Sequence, residues 1–452
     1  MVNIADTIGD WVTFFGWEDI PENVIWHAKR CLIDVIGVAF AGSKRSGVIL
    51  TRKATQKQFA LGPCTIIGSK AVKSCMEGAA LINGIAAHVL DFDDTCYDGI
   101  VHGSAAVWPA ANAAAEAARI SGKDFLLAFI AGVETEYALG RLVTNHLYWK
   151  GWWNSGLLGS LGAAGAAAKA FKLNNATTRN AIRIAACLTT GLRVVLGTPV
   201  KPFVIGWASQ IGIRSALLAM NGISGPGNVF EDDRGFLKLY NDGNCDLKAL
   251  VELGKRFSLE KPGVALKRYP VCSAAQAAVE ATQNIIIKET LANENIARVH
   301  CEVTPLVGMS LVYNNPVTVT QAQFSMPFAI GCILSFNELG IKQLNDLTIN
   351  NSLLKANMQK VTMATSQDFF PLGNTTEDFP EAAKVTIYTK DGKQFQYFNG
   401  GATGMPCKPM SDKMIEDKFC SCTSKLLSKK KASELLSQLW SVEKLKSIPV
   451  YA

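Results

Sequence analysis

The 452-residue chain is 48% apolar and 18% charged, which excludes a largely disordered protein and supplies more core than a single domain usually holds. Its formal charge of +7 suits a small anionic substrate. The one compact basic run, Lys429-Lys430-Lys431, reads as the solvated face of a polar helix, so nucleic acid is not an expected partner.

The opening segment, MVNIADTIGDWVTFFGW, lacks the basic and long apolar regions of a secretory signal, and a cytoplasmic location is expected. From residue 20 to about 255 the dominant signal is helical. Val24, Ile25, Ala28, Cys31, Leu32, Val35 and Ile36 form one apolar face, and Gly42-Ser43 supplies a stop. Similar patterns recur at 72–90, 105–120, 123–143, 155–172, 176–190 and 205–221, and short Gly-containing connectors imply a compact bundle. The apolar runs at 105–119 and 155–172 owe their character to Ala and Gly and contain polar residues, so they read as buried helices, and no membrane association is expected. Residues 296–311, 359–364 and 384–398 alternate like half-buried strands, the last around a Lys390-Asp391-Gly392 turn, while 273–288, 321–336 and 411–440 read as helical. The expected fold is mainly α: a large all-helical domain from residues 1–264 and 403–452, with a smaller α+β lid domain over 265–402.

The twelve cysteines include no CxxC pair, and the five histidines have no HxxxH or HExxH spacing, so neither a disulfide framework nor a metal site is expected. The run Gly156–Gly165 superficially resembles a dinucleotide loop but follows no strand, and close helix packing through small residues is the better reading. No nucleotide cofactor is expected.

Two polar groups carry chemical potential. In His88-Val-Leu-Asp91-Phe-Asp93-Asp94-Thr95, three carboxylates lie within four residues, and His102 follows closely; such a set can supply a base, an acid and an orienting group, although aspartates at a helix end also serve simply to solvate a turn. Arg193, Lys201 and the pair Lys267-Arg268 form the second group. Lys201 and Lys267 stand among apolar, Pro or aromatic neighbours, where a cation can hold a substrate carboxylate or the charge that develops when an α-proton leaves. Lysine stems also commonly run over apolar surface with the ammonium in water.

Six segments, LINGIAAHVLDFDDT (81–95), HGSAAVWPAA (102–111), GLLGSLGAAGAAAKAFKL (156–173), VKPFVIGWAS (200–209), LKRYPVCSAAQAAVEA (266–281) and QAQFSMPFAIG (321–331), together resemble the MmgE/PrpD family. That family includes 2-methylcitrate dehydratase, cis-aconitate decarboxylase and iminodisuccinate epimerase. The resemblance implies a helical domain, a smaller lid, a cleft between them and a homodimer. It also implies that Asp91, Thr95, His102, Lys201 and Lys267 line the site, the lysines binding carboxylates while Asp91 and His102 handle protons.

Departures accompany the likeness. Trp153 stands at or next to a position where relatives carry histidine, Val271-Cys272-Ser273 replaces a stretch where histidines are frequent, and Phe328 lacks the hydroxyl of a tyrosine found in some members. Tyr269 and His146 are candidate replacements, and Arg193, Arg268, Tyr269, Trp153 and His146 join Thr95 as expected substrate-binding residues. A thinner acid/base set fits removal and return of one α-proton, so an epimerase acting on a small di- or tricarboxylic acid is expected first. The alternatives are a lyase of the dehydratase or decarboxylase type and an inactive polycarboxylate-binding protein.

Overall fold

The computed structural model describes residues 3–69, 72–371, 375–449 and 451. Its principal helices are α1 (Ile4–Phe14), α2 (Glu22–Gly42), α3 (Met76–His88), α4 (Gly103–Ala118), α5 (Gly122–Val143), α6 (Asn154–Ala170), α7 (Asn175–Leu188) and α8 (Val200–Met220), and side-chain caps start α1, α5 and α7 among them. The Ser121 hydroxyl accepts from the Asp124 N–H at 3.1 Å to start α5, and the Asn174 side chain accepts from the Thr177 N–H at 3.0 Å to start α7. α2 ends at the expected Gly42-Ser43 stop. α8 begins five residues earlier than its periodicity suggests, which places Lys201 in its first turn.

α8 packs on α3 and α6, and α6 on α4 and α5. The small residues make these approaches close. A Cβ added at Gly84 would lie 2.7 Å from the Gly206 Cα, and one at Gly162 would lie 2.8 Å from the Gly132 carbonyl oxygen. The Gly156–Gly165 run is therefore a packing surface on a helix. α8 is long and apolar enough by composition to cross a membrane, but here it is a core helix with 61% of its most apolar window buried.

Two short strands tie the sequence-distant halves of the site together. β1 (Thr95–Cys96) pairs antiparallel with β2 (Val264–Ala265), with Thr95 opposite Ala265. Beyond β2 come α9 (Ser273–Lys288), β3 (Ile296–Val303), α10 (Met326–Phe336), β4 (Val361–Thr365), β5 (Ala383–Thr389) and β6 (Gln394–Asn399). The sheet order is β4-β3-β5-β6, with β3 and β4 parallel and the other neighbours antiparallel.

Two expected elements are shorter than their patterns. The strand expected over 296–311 stops at Val303, because Thr304 caps a new turn of helix with Pro305 at its start. The helix expected over 321–336 begins at Met326, where the Ser325 hydroxyl accepts from the Phe328 N–H at 3.1 Å. This break turns Phe324 toward the site.

α11 (Asp412–Thr423) and α12 (Lys429–Trp440) return to pack on α2. One buried apolar cluster gathers the N-terminal helices with Met410, Phe419, Leu435 and Tyr451; a second gathers α9, α10 and the sheet, together with Leu90 and Phe92 from the end of the α3 segment. The polar cavity lies where these clusters meet. The fold is mainly helical with a small α+β portion, as expected.

Candidate active site

The α3–β1 connection is the scaffold of the site. α3 brings His88 to its last turn, and the chain then reverses through Asp91, whose φ of +48° lies in the left-handed region that Asp and Asn tolerate better than most residues. His88, Asp91, Asp93, Asp94 and Thr95 are all buried. α11 fixes this loop from outside: the Lys418 ammonium, paired with Asp34 at 2.7 Å, donates to the backbone oxygens of Phe92 and Lys267, each at 2.8 Å.

Lys201 and Lys267 are 4% and 2% exposed, so their ammonium groups are held by protein rather than water. They converge on one carboxylate. The Lys267 Nζ donates to the Asp91 backbone oxygen and to Oδ1, both at 2.9 Å, and the Lys201 Nζ donates to the same Oδ1 at 3.1 Å. Burial opposes ionisation of Asp91, but the two lysines outweigh it and hold the carboxyl below the usual range. Burial likewise opposes the Lys267 charge, yet Asp91 and Asp93 keep its pKa above the ordinary value. Lys201 goes the other way, pushed down by burial and by the nearby Lys267 charge against the pull of Asp91. Its ammonium also lies 4.9 Å from the Trp153 ring centre and 5.1 Å from that of Phe324.

The hydrogen-bond network assigns both histidine tautomers. His88 Nε2 is 2.5 Å from the Lys201 Nζ, which only donates, so Nε2 accepts and the ring proton resides on Nδ1, 2.9 Å from each Asp93 oxygen. His102 Nδ1 is 2.7 Å from the Asp94 carbonyl oxygen, which only accepts, so Nδ1 carries the proton and Nε2 is bare. Among the described residues no hydrogen bond engages that Nε2. Burial pushes the His88 pKa down to about 3 and also lowers that of His102, the lysine charges adding to the effect while Asp93 opposes it. Both rings are neutral at pH 7. Burial raises the Asp94 carboxyl to about 7, where Ser104 holds it through its hydroxyl and, at 3.2 Å, its N–H.

His88 supplies a pH prediction. Its folded pKa lies below the ordinary 6.5, so its contribution to stability is present above pH 6.5 and is lost as pH falls toward 3. His88→Gln should remove one proton's worth of this slope, about 1.4 kcal/mol per pH unit. Chemical denaturation of both proteins at pH 4.5 and 7 measures the difference: the variant's deficit should shrink at pH 4.5, and an unchanged deficit would place the charge change elsewhere.

The cavity over these groups is small, about 30 Å³, and partly open; it is lined by Asp91, Thr95, His102, Lys201 and Trp153, with Cys272, Ser273, Ser310 and Glu381 from the α+β side. The Thr95 hydroxyl is 3.4 Å from His102 Nδ1. His88, Asp91, Asp93 and His102 could together offer donors to a metal ion, all within 4.8 Å of one another. Lys201 and Lys267 already engage Asp91 and His88, however, and two ammonium groups among those donors oppose a divalent cation.

Several expected site residues point elsewhere. His146 Nε2 pairs with Asp242 at 2.9 Å on the exposed surface, because Gly151, at φ +105°, turns the chain between it and Trp153. Arg268 is exposed and faces Glu280 at 3.4 Å, since neighbours in an extended segment project to opposite sides. The Tyr269 hydroxyl donates to Gln283, so it supplies no replacement donor in the cavity. Arg193 is half-buried behind the wall, donating to the Tyr148 carbonyl oxygen at 3.1 Å and lying over the Tyr148 ring. Gln276 clamps the Lys267-Arg268-Tyr269 loop by accepting from the N–H groups of Arg268 and Tyr269 and donating to two carbonyls. Residues absent from the expected set are Tyr148, Ser273, Ser310, Phe324 and Glu381, while His88 and Asp93 stood only in the polar run that ends α3, with no individual role.

A helical body and an α+β layer together carry this charged cavity. Residues 6–247 match the MmgE/PrpD N-terminal domain and residues 269–442 the MmgE/PrpD C-terminal domain, so the chain belongs to the MmgE/PrpD family. It is 27% identical to a cis-aconitate decarboxylase of Homo sapiens, over 95% of this chain and 90% of that one. Similar relatives with the same name come from Mus musculus, 26% identical over 95% and 89% of the two chains, and Aspergillus terreus, 24% identical over 98% and 94%. These relatives favour the lyase alternative over the epimerase expected first.

Proposed function

We propose that this enzyme is a lyase that decarboxylates a small unsaturated tricarboxylate of the cis-aconitate type, with the division into helical body and α+β lid near residues 264 and 403 framing its cleft. The observation that carries the reading is the buried Lys201–Asp91–Lys267 bridge, whose Lys201 and Asp91 line the cavity while Lys267 stands directly behind Asp91. On binding, the two ammonium groups would exchange part of their contact with Asp91 for substrate carboxylates, which orients the substrate. As the C–CO2 bond breaks, its electron pair forms a new C=C bond. The former π pair moves to the far alkene carbon, where the adjacent carboxylate spreads the charge as a dienolate. Lys201 and Lys267 stabilise that charge in a water-poor site, where fixed cations act more strongly than in bulk water. The apolar wall of Trp153, Leu196, Ile100 and Phe324 suits conversion of a carboxylate to uncharged CO2.

A second reading keeps the substrate skeleton intact. The bare Nε2 of His102, fixed by Nδ1–H on Asp94, is the geometry of a base able to remove and return one α-proton, and it favours the epimerase. Purified enzyme given cis-aconitate should release CO2 and form a terminal alkene; no CO2 from cis-aconitate, together with inversion of a chiral dicarboxylate at its α-carbon, would favour the second reading. The enzyme is proposed to be cytoplasmic, which cell fractionation checks, and a homodimer, which light scattering after size exclusion checks.

A further inference from the structure

Decarboxylation with allylic shift consumes one proton at the far alkene carbon, and the neutral histidines are poorly arranged to supply it. His102 faces the cavity through an unprotonated nitrogen, His88 is enclosed by Lys201 and Asp93, and Trp153 carries no exchangeable proton of acidic pKa. The cavity nonetheless contains another proton carrier. Glu381, 5% exposed, stands in its wall just ahead of β5 and bridges body and α+β layer. Its Oε1 accepts from the Ser273 hydroxyl at 2.8 Å, at the start of α9, and its Oε2 accepts from the Tyr97 hydroxyl at 2.6 Å, just after β1.

Glu381 also lines a second, larger cavity of about 320 Å³, which includes Tyr97, Pro262, Phe379, Met405 and Cys407. The carboxyl therefore forms part of the partition between the inner site and an outer vestibule. A donor used once per turnover needs this placement, with one face toward the reacting carbon and a route by which solvent restores the proton.

Building on the decarboxylase reading, we propose that Glu381 is the general acid of this enzyme and that Tyr97 relays protons to it from the outer vestibule. The Glu381 O–H bond breaks as the C–H bond forms at the alkene carbon, leaving a carboxylate. Water in the vestibule then returns a proton through the Tyr97 hydroxyl, which gives its own proton to Oε2 and receives one from water. Substrate and one proton become product and CO2, so no other co-reactant is required. Burial raises the Glu381 pKa from its ordinary value against the hydrogen bonds from Tyr97 and Ser273, which favour the carboxylate.

The test combines an activity-independent readout with kinetics on the full chain. Infrared difference spectra of wild type against Glu381→Gln at pH 7 should contain a protonated-carboxyl C=O band belonging to wild type; its absence overturns the proposal whatever the substrate. With cis-aconitate, Glu381→Gln should lose at least about 100-fold in kcat while KM changes little. Near-normal kcat, or a loss confined to KM, overturns the assignment. Tyr97→Phe removes a hydrogen bond that favours the carboxylate, so the alkaline limb of its kcat profile should move to higher pH; an unmoved limb also counts against the relay. If wild type shows the infrared band but releases no CO2, the decarboxylase reading fails while the protonated Glu381 stands.

Discussion

Lys267→Met should lower kcat by about 10²- to 10³-fold, the scale on which losing one positioned electrostatic donor is felt at a developing charge. The methionine keeps most of the apolar stem, while the ammonium that holds both the Asp91 carbonyl and its carboxylate is gone. Lys201 remains on Asp91, so the carboxylate is not stranded and the fold should persist with a lowered melting temperature. Steady-state kinetics paired with circular dichroism separates the two effects. Near-normal kcat in a folded variant would remove Lys267 from the reacting centre.

Asp91→Asn should have the largest effect on stability. Asparagine tolerates the left-handed backbone at this position, so the substitution removes charge without adding strain. Two buried ammonium groups then face each other without their common counter-ion. Breaking a buried ion pair in this way costs about 3–5 kcal/mol. The sign of the pH dependence is diagnostic. Without Asp91, the folded-state pKa of the lysines falls below the unfolded value, so stability is regained as pH rises toward the unfolded lysine range and lost as pH falls. The gap between variant and wild type, measured by chemical denaturation, should narrow from pH 7 to pH 10; a constant gap would argue against the shared-carboxylate arrangement.

The parts of this site that could be read from sequence were those whose chemistry conflicted with their surroundings. Lys201 and Lys267 stand in apolar stretches, and the structure buries both; the three carboxylates after α3, which a solvated turn would also accommodate, are all buried as well. The helices were legible from their long apolar runs, the central ones being buried on nearly every side, while the strand at 296 and the helix at 321 were over-extended where Thr304-Pro305 and Ser325 impose caps. His88 ends a mostly apolar helix, and its role becomes visible only when Lys201 arrives from 113 residues away. Glu381, Ser273 and Ser310 come from separate segments of the α+β half, and only the fold brings them to Lys201. His146 failed for the converse reason. Closeness to Trp153 in sequence says nothing of direction once the turn at Gly151 intervenes.

The most direct measurement is proton NMR of the purified enzyme with cis-aconitate in heavy water. The decarboxylase account predicts two new vinyl proton signals, release of CO2 and one deuterium in the product's methylene group, delivered as the double bond shifts. Exchange of an α-proton on an otherwise intact skeleton, with no vinyl signals, would contradict it and assign the cavity to proton removal and return.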